Sequence, residues 1–440
     1  MNKTELLSPA GTLKSMRYAF AYGADAVYAG QPRYSLRVRN NEFNKIENLE
    51  AAIGEAHDAG KLFYLASNIA PHNDKVKTYL RDLEPVIAMK PDALIMSDPG
   101  LIMLVRERWP EQSIHLSVQA NAINYAAVKF WARQGIERVI LSRELSIEEI
   151  IEIRELCPEV ELEVFVHGAL CIAYSGRCLL SGYMKHRDPN QGACTNSCRW
   201  EYNAHAADEN ELGDLIAVQN VDPGQFDEVP PVLLQEKSRP GEYMPAYEDE
   251  HGTYIMNSKD LRAVQHVERL VKAGIHSLKI EGRTKSPYYV ARTAQVYRKA
   301  IDAAESGRAF DMSLMTELEH LANRGYTEGF YRRHVPSEYQ NYAQGVSENR
   351  AQQFVAEVLE FDSSQGSVTL DVKNRFALGD RVELITPKGN QAFTIESLQN
   401  KHGQAIEVAP GSGHIVKTWL PGIPTDFDGQ YCMLMRHAQA

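Results

Sequence analysis

No stretch of this chain stays apolar for the roughly 18 residues that a membrane-spanning helix needs. The opening Met-Asn-Lys-Thr-Glu-Leu-Leu-Ser-Pro-Ala-Gly has no apolar core of the kind an export signal carries. The expectation is a soluble, cytoplasmic protein with no membrane partner. Cysteine is scarce, six in 440 residues, too few for a disulfide scaffold. Also missing are His-Glu-x-x-His, with which a zinc peptidase holds its metal, and Gly-x-Ser-x-Gly, the elbow of a serine hydrolase. No Gly-x-Gly-x-x-Gly follows the first predicted strand, which speaks against a doubly wound dinucleotide-binding sheet. At this length the chain can bury a large core and hold more than one domain.

Net positive charge is lacking too. The formal charge of −11 taken alone argues against a nucleic-acid partner, but its distribution does not. Residues 201–250 hold thirteen acids and two bases, Lys237 and Arg239; taking these from the chain's 58 acids and 47 bases leaves 45 of each. One segment carries the whole excess. A neutral body still presents local basic faces, and local potential governs phosphate binding. The acidic segment is rich in Pro and Gly and reads as a mobile or irregular excursion.

What is present is a repeat. Gly23-Ala-Asp-Ala-Val-Tyr, Lys90-Pro-Asp-Ala-Leu-Ile, Gly135-Ile-Glu-Arg-Val-Ile and Gly274-Ile-His-Ser-Leu-Lys-Ile each join the end of an amphipathic helix to a short β-type run. Strands are expected at 5–7, 26–29, 62–67, 93–96, 114–118, 138–141, 162–166 and 277–280. Eight strands with helices between most of them predict an α/β (β/α)8 TIM-type barrel over residues 1–340, with a long Cys-containing insertion after strand seven, about 168–253. The last ninety residues hold short β runs between Gly, Asn and Asp, which predicts a small C-terminal antiparallel β-barrel domain over 350–440.

Barrel chemistry sits where strands end. The polar residues there are Ser8, Gln31, Asn68, Asp98, Gln119 with Asn121, Arg143 with Glu144, His167, and Glu281 with Arg283. His167 suits proton shuttling near neutral pH. Glu281 is read as a base or as the partner of Lys279 or Arg283. Asn68 and Gln119 are candidates to bond a base or sugar edge. Arg143 and Arg283 end strands six and eight and are expected to face one another across the mouth, where guanidinium forks bind carboxylates. Arg37 and Arg39, after strand two, meet a carboxylate or an RNA phosphate. Each has a plainer alternative: Arg143 paired with a nearby acid, His167 a satisfied core residue, Glu281 in a structural ion pair.

Four of the six cysteines leave the same face, as Cys171, Cys178, Cys194 and Cys198, spaced C-x6-C-x15-C-x3-C. A zinc site usually shows two close pairs, and only the second pair is close here. Widely spaced thiolates with Gly and Arg between them suit an iron–sulfur cluster, with zinc or unligated thiols as alternatives. Arg177, Lys185, His186, Arg187 and Arg199 in this loop, and Arg332 and Arg333 after the barrel, are candidate RNA contacts. Tyr174 and Trp200 stand among them, as aromatics do in RNA sites. Cys157 and Cys432 read as packing residues.

From Glu163 the sequence fills the pattern E-x-F-x2-G-[SA]-[LIVM]-C-x4-G-x-C-x-[LIVM]-S through Phe165, Gly168, Ala169, Leu170, Cys171, Gly176, Cys178, Leu180 and Ser181, without mismatch. This resembles the U32 family, historically labelled collagenase-like peptidases. The opening Glu5-Leu-Leu-Ser-Pro-Ala-Gly and Lys279-Ile-Glu-Gly-Arg look like the same family. Within it, the long stretches from Tyr28, Ser97 and Ala169 are similar to members that hydroxylate tRNA. The resemblance implies an enzyme forming 5-hydroxyuridine at the wobble position, dependent on prephenate and on iron–sulfur assembly machinery. It implies a [4Fe–4S] cluster on Cys171, Cys178, Cys194 and Cys198. Lys279, Arg143, Arg283, Arg37, Arg39 and Arg177 would then bind substrate, and His167, Glu281, Asn68 and Gln119 would serve catalysis. The alternatives are a U32-type hydroxylase of another RNA or a small aromatic, a peptidase, and a non-catalytic iron–sulfur or RNA-binding accessory.

Overall fold

The computed structural model describes residues 3–36, 41–170, 259–321, 323, 325–332, 352–362, 364–420 and 429–437 in full, and the backbone of short strands lying between 202 and 253. Eight parallel strands close into a barrel: β1 (Glu5–Pro9), β2 (Ala26–Gly30), β3 (Leu62–Ser67), β4 (Ala93–Met96), β5 (Ile114–Leu116), β6 (Arg138–Ile140), β7 (Glu161–Ala169) and β8 (Ser277–Ile280). Each pairs with the next, and β8 pairs with both β7 and β1, which closes the ring. The expected (β/α)8 architecture is what the chain adopts.

Local chemistry explains the alternation of strand and helix. The helix Leu13–Ala21 starts where Thr12 accepts the Ser15 N–H, and Ile147–Leu156 starts on a capping box of Ser146 and Glu149. Pro99 and Pro287 open the helices Pro99–Arg108 and Pro287–Glu305, where their missing N–H costs nothing. Most αβ joints turn through a left-handed glycine. At one of them Lys90 takes φ of +59° instead, just ahead of Pro91.

β7 runs three residues beyond its expected end. Asp260–Arg262 lies antiparallel to its last residues, pairing Asp260 with Ala169 and Arg262 with His167, and Tyr326–Thr327 adds alongside. Where composition suggests an irregular excursion, the described parts of the acidic segment are strands. Strands Tyr202–Glu209, Leu215–Ala217, Val232–Glu236 and Tyr243–Ala246 form a four-stranded antiparallel sheet. The β-type run Val232-Leu233-Leu234 lies in one of these strands, a signal hidden by the count of acids, Pro and Gly around it.

After the barrel, Gln352–Asp362, Ser367–Val372, Arg381–Thr386, Gly389–Thr394, His414–Trp419 and Met433–His437 build a seven-stranded antiparallel sheet, completed by Gln399–Asn400. It packs on the barrel's first and last helices. Tyr22 donates to the carbonyls of Ile385 and Tyr431, and Gln295 to that of Thr386. Arg292, 1% exposed, lies 3.4 Å from Glu317 and 3.6 Å from Glu383.

The barrel interior is not wholly apolar. At its floor, Arg138 sits 2.6 Å from Glu5 and 3.4 Å from Glu163, and Glu5 also accepts from Tyr64 and Ser277. His115 stacks edge-on against Tyr64 and is held neutral by burial. Burying such charges stabilises only while every partner is present. Arg138→Met should therefore cost about 3–5 kcal/mol, because it takes the buried cation from Glu5 and one of two from Glu163. Urea unfolding of the full chain measures this; a loss under about 1 kcal/mol would show the network to be slack.

Candidate active site at the barrel mouth

Strand alternation sends Tyr28, Glu163, Phe165, Lys279 and then Glu281 into the barrel, one above the other. Lys279 Nζ lies 2.7 Å from Glu163 Oε1, over the Tyr28 ring at 4.3 Å and near the Phe165 ring at 5.4 Å. Burial lowers the Lys279 pKa, with Glu163 opposing the shift. Lys279 is 3% exposed. It therefore belongs to the barrel interior and not to the ligand-facing surface expected of it, and its partner is Glu163.

Above this pair lies the mouth. The Arg143 guanidinium lies over the Phe165 ring at 3.8 Å, with Nη2 3.8 Å from Glu281 Oε2. Tyr28 shares its one hydroxyl proton between that same oxygen, at 3.2 Å, and the Ile280 carbonyl, at 3.0 Å. Arg283 Nη1 donates to Ser35 Oγ at 2.7 Å, and its guanidinium is 5.7 Å from the Tyr28 ring centroid. Both arginines thus border the Tyr28–Glu281 pair, in keeping with a shared mouth. Gly30 makes this possible: a Cβ there would stand 2.7 Å from both Arg283 Nη1 and Ser35 Oγ. The plainer alternative for Arg143 is realised in part, since Glu281 is its nearby acid.

The amide of Asn68 is already engaged. Its Nδ2 donates to Ser117 Oγ and its Oδ1 accepts from the Leu36 N–H, so it braces the loop after β2 against β5. That makes Asn68 a strut and not the substrate contact expected. Asp98 caps a helix through the Leu101 N–H, and Asn121 accepts from Ser142. Gln119 sits in the turn Val118–Ala120, half-buried, with no side-chain partner among the described residues. It is one amide at this rim with capacity for a ligand; Gln31, whose buried Oε1 has no hydrogen-bond partner among the described residues, is another.

His167 does not reach the mouth. Phe165 pairs with Lys279 but His167 pairs with Ile280, because a bulge at Val166 shifts the register and turns the ring to the helix side. There it packs against Tyr289, Tyr297 and Tyr326. Burial lowers its pKa to about 3. A neutral imidazole walled by tyrosines cannot shuttle protons near neutral pH, so the plainer alternative replaces the expected general acid or base. His167 acts through its backbone: its carbonyl accepts the Glu281 N–H at 2.9 Å. Tyr289 donates to the Glu281 carbonyl at 2.8 Å. Gly168, at φ of +103°, leaves room for that carbonyl, which would lie 2.4 Å from a Cβ.

Cys171, Cys178, Cys194, Cys198, Arg37, Arg39 and Arg177 lie outside the described residues, as do Tyr174, Lys185, His186, Arg187, Arg199, Trp200 and Arg333. Arg332 is exposed and paired with Glu328 at 2.7 Å. Cys157 and Cys432 are buried packing residues, as expected. Tyr28 and Glu163 were missed as site residues. The signal for Glu163 was in view, since an acid within an apolar strand run demands a buried cation.

The chain matches the family described as Peptidase family U32 over residues 11–341 and the Peptidase family U32 C-terminal domain over residues 350–436. It is 63% identical to the tRNA hydroxylation protein P of Escherichia coli, covering 99% of this chain and 97% of that protein. It is 61% identical to the protein of the same name from Haemophilus influenzae, covering 99% and 96%. Among solved structures, the U32 peptidase Mk0906 aligns with 64% of this chain and 94% of its own at 14% identity and a TM-score of 0.39.

The burial of His167 makes stability depend on pH. Folded, it takes a proton only at about pH 3; unfolded, near its ordinary 6.5. Between those values the unfolded chain holds the extra proton. Stability is therefore full above pH 6.5 and falls with acid, by about 3 kcal/mol from this residue at pH 4.5. Urea unfolding at pH 7 and 4.5 should show a smaller drop for His167→Phe than for the wild type. Equal drops would mean that the imidazole protonates in place.

Proposed function

This chain belongs to the U32 peptidase family, and on that footing we propose that it hydroxylates tRNA, forming 5-hydroxyuridine at the wobble position, and is not a peptidase. The observation that carries the reading is the 63% identity to a tRNA hydroxylation protein across almost the whole of both chains. That span includes every residue of the mouth and the loop with the four thiols.

Replacing the C5–H of uridine by C5–OH is an oxidation, so an oxygen donor must enter with the base. Prephenate is the proposed co-substrate. It is a dicarboxylate, and the Arg143 and Arg283 guanidiniums are suited to hold its carboxylates. Gln119 is placed to bond the edge of the uracil ring. Glu281, fixed at both backbone ends, is the group at the mouth able to take the C5 proton. Cys171 follows Leu170, the residue next to the end of β7, in sequence.

Four thiolates are the donor set of a [4Fe–4S] cluster, and Cys171, Cys178, Cys194 and Cys198 are proposed to hold one, loaded by the iron–sulfur assembly machinery. When bound, such a cluster would supply one-electron redox chemistry, accepting and passing on electrons. The protein's part is to bring tRNA and the small acid together under Arg143, Arg283 and Gln119.

Two measurements test this. Nucleoside profiles of tRNA from cells lacking the protein should lose 5-hydroxyuridine, and the wild-type chain, but not Cys171→Ala or Cys194→Ala, should restore it. Protein purified without oxygen should contain about four irons and four sulfides per chain. An unchanged nucleoside profile would contradict the activity, and zinc or no metal would contradict the cluster.

A further inference from the structure

A guanidinium carries five N–H donors. The Arg143 side chain is only 10% exposed, yet it makes no hydrogen bond to any described residue. It is held by the face of Phe165 and by Glu281 Oε2, 3.8 Å away and beyond hydrogen-bond reach. Donors left unmet this close to a carboxylate are readily claimed by it. A closing movement of about 1 Å by Glu281 would meet them with a charge-assisted bond.

The movement is blocked. The Glu281 N–H is tied to the His167 carbonyl, and its own carbonyl to the Tyr289 hydroxyl. Its Oε2, the oxygen that faces Arg143, accepts from Tyr28. Tyr28 is itself immobilised. Its ring lies on the Lys279 ammonium at 4.3 Å, its hydroxyl also reaches the Ile280 carbonyl, and Lys279 is anchored by Glu163. The side chain that pulls Glu281 away from Arg143 thus stands on the buried ion pair.

We propose that Tyr28 is a positioning residue that holds the Glu281 carboxylate back from Arg143, so that the guanidinium, laid flat on Phe165, keeps its fork for the carboxylate of an incoming small acid. Glu281 is then an internal competitor for the ligand's place, and the Tyr28 hydroxyl weighs against it. A planar carboxylate offers the fork two coplanar oxygens while Arg143 stays on the ring. This rests on the reading of the mouth as the binding site of a small acid.

Calorimetric titration of prephenate into the full chain, purified without oxygen, tests it. Tyr28→Phe keeps the ring but drops the hydroxyl, and should weaken binding about tenfold or more as Glu281 closes on Arg143. Glu281→Gln should bind at least as tightly as the wild type. The double variant Tyr28→Phe with Glu281→Gln should recover that affinity, because no carboxylate remains to compete. A purely structural role for Tyr28 would leave the double variant as weak as the single one. Wild-type affinity in Tyr28→Phe, or no recovery in the double variant, overturns the positioning role alone when Arg143→Ala still abolishes binding. No binding by the wild type, or binding indifferent to Arg143→Ala, overturns both this inference and the small-acid site. Equal affinity for inorganic phosphate would overturn the carboxylate assignment.

Discussion

An ammonium and a carboxylate 2.7 Å apart, both sealed inside the barrel, govern what stands above and below them. Glu163 turns one oxygen to Lys279 and the other to Arg138, so the floor of the barrel and its mouth share one carboxylate. Below, Arg138 gathers Glu5 and Glu161. Above, Lys279 lies under the ring of Tyr28, whose hydroxyl sets Glu281, which in turn faces Arg143. An interior built for stability alone would do as well with apolar residues of similar volume. The charged column makes sense as a way of fixing polar groups at the mouth.

The family's historical label would call for a nucleophilic thiol, and among the described residues none is placed to act as one. A thiol peptidase needs an accessible cysteine beside a basic imidazole. His167 lies behind β7 with its pKa depressed, and the described thiols, Cys157 and Cys432, are buried. What the mouth does offer is cationic and planar: two guanidiniums, an amide with spare capacity, and a fixed carboxylate. That inventory suits a small acid and a pyrimidine ring. The sheet over 352–437 locks onto the helix Pro287–Glu305 through Arg292 and Gln295, so the second unit is tied to the same helix that carries Tyr289 under Glu281.

The barrel was legible in the sequence because its joints repeat and its strands are short apolar runs of the right length. Strand ends, and so most mouth residues, followed from the same pattern. The misreadings have local causes. His167 lies two residues beyond Phe165, and simple alternation puts both inside; one extra residue at Val166 reverses that, and no residue type announces such a bulge. Asn68 looked available because its partners, Ser117 and Leu36, are distant in sequence. Glu163 was seen as part of a pattern leading to the cysteines, while Lys279 was set against Glu281 nearby in sequence. Long-range charge pairing becomes visible only once the ring closes. Tyr28 was hidden in an apolar strand run, where a tyrosine passes for a core residue until its hydroxyl is seen to end on Glu281.

The central claim is that this mouth brings tRNA and a small acid together for hydroxylation by this chain itself. Its most direct test is a reaction of purified, oxygen-free protein with unmodified tRNA and prephenate, read by mass spectrometry of the digested nucleosides. The account predicts 5-hydroxyuridine that depends on prephenate and is lost in Arg143→Ala. A product-free reaction with iron-loaded protein, or product formed equally well by Arg143→Ala, would contradict it and turn attention to an accessory role beside a separate catalyst.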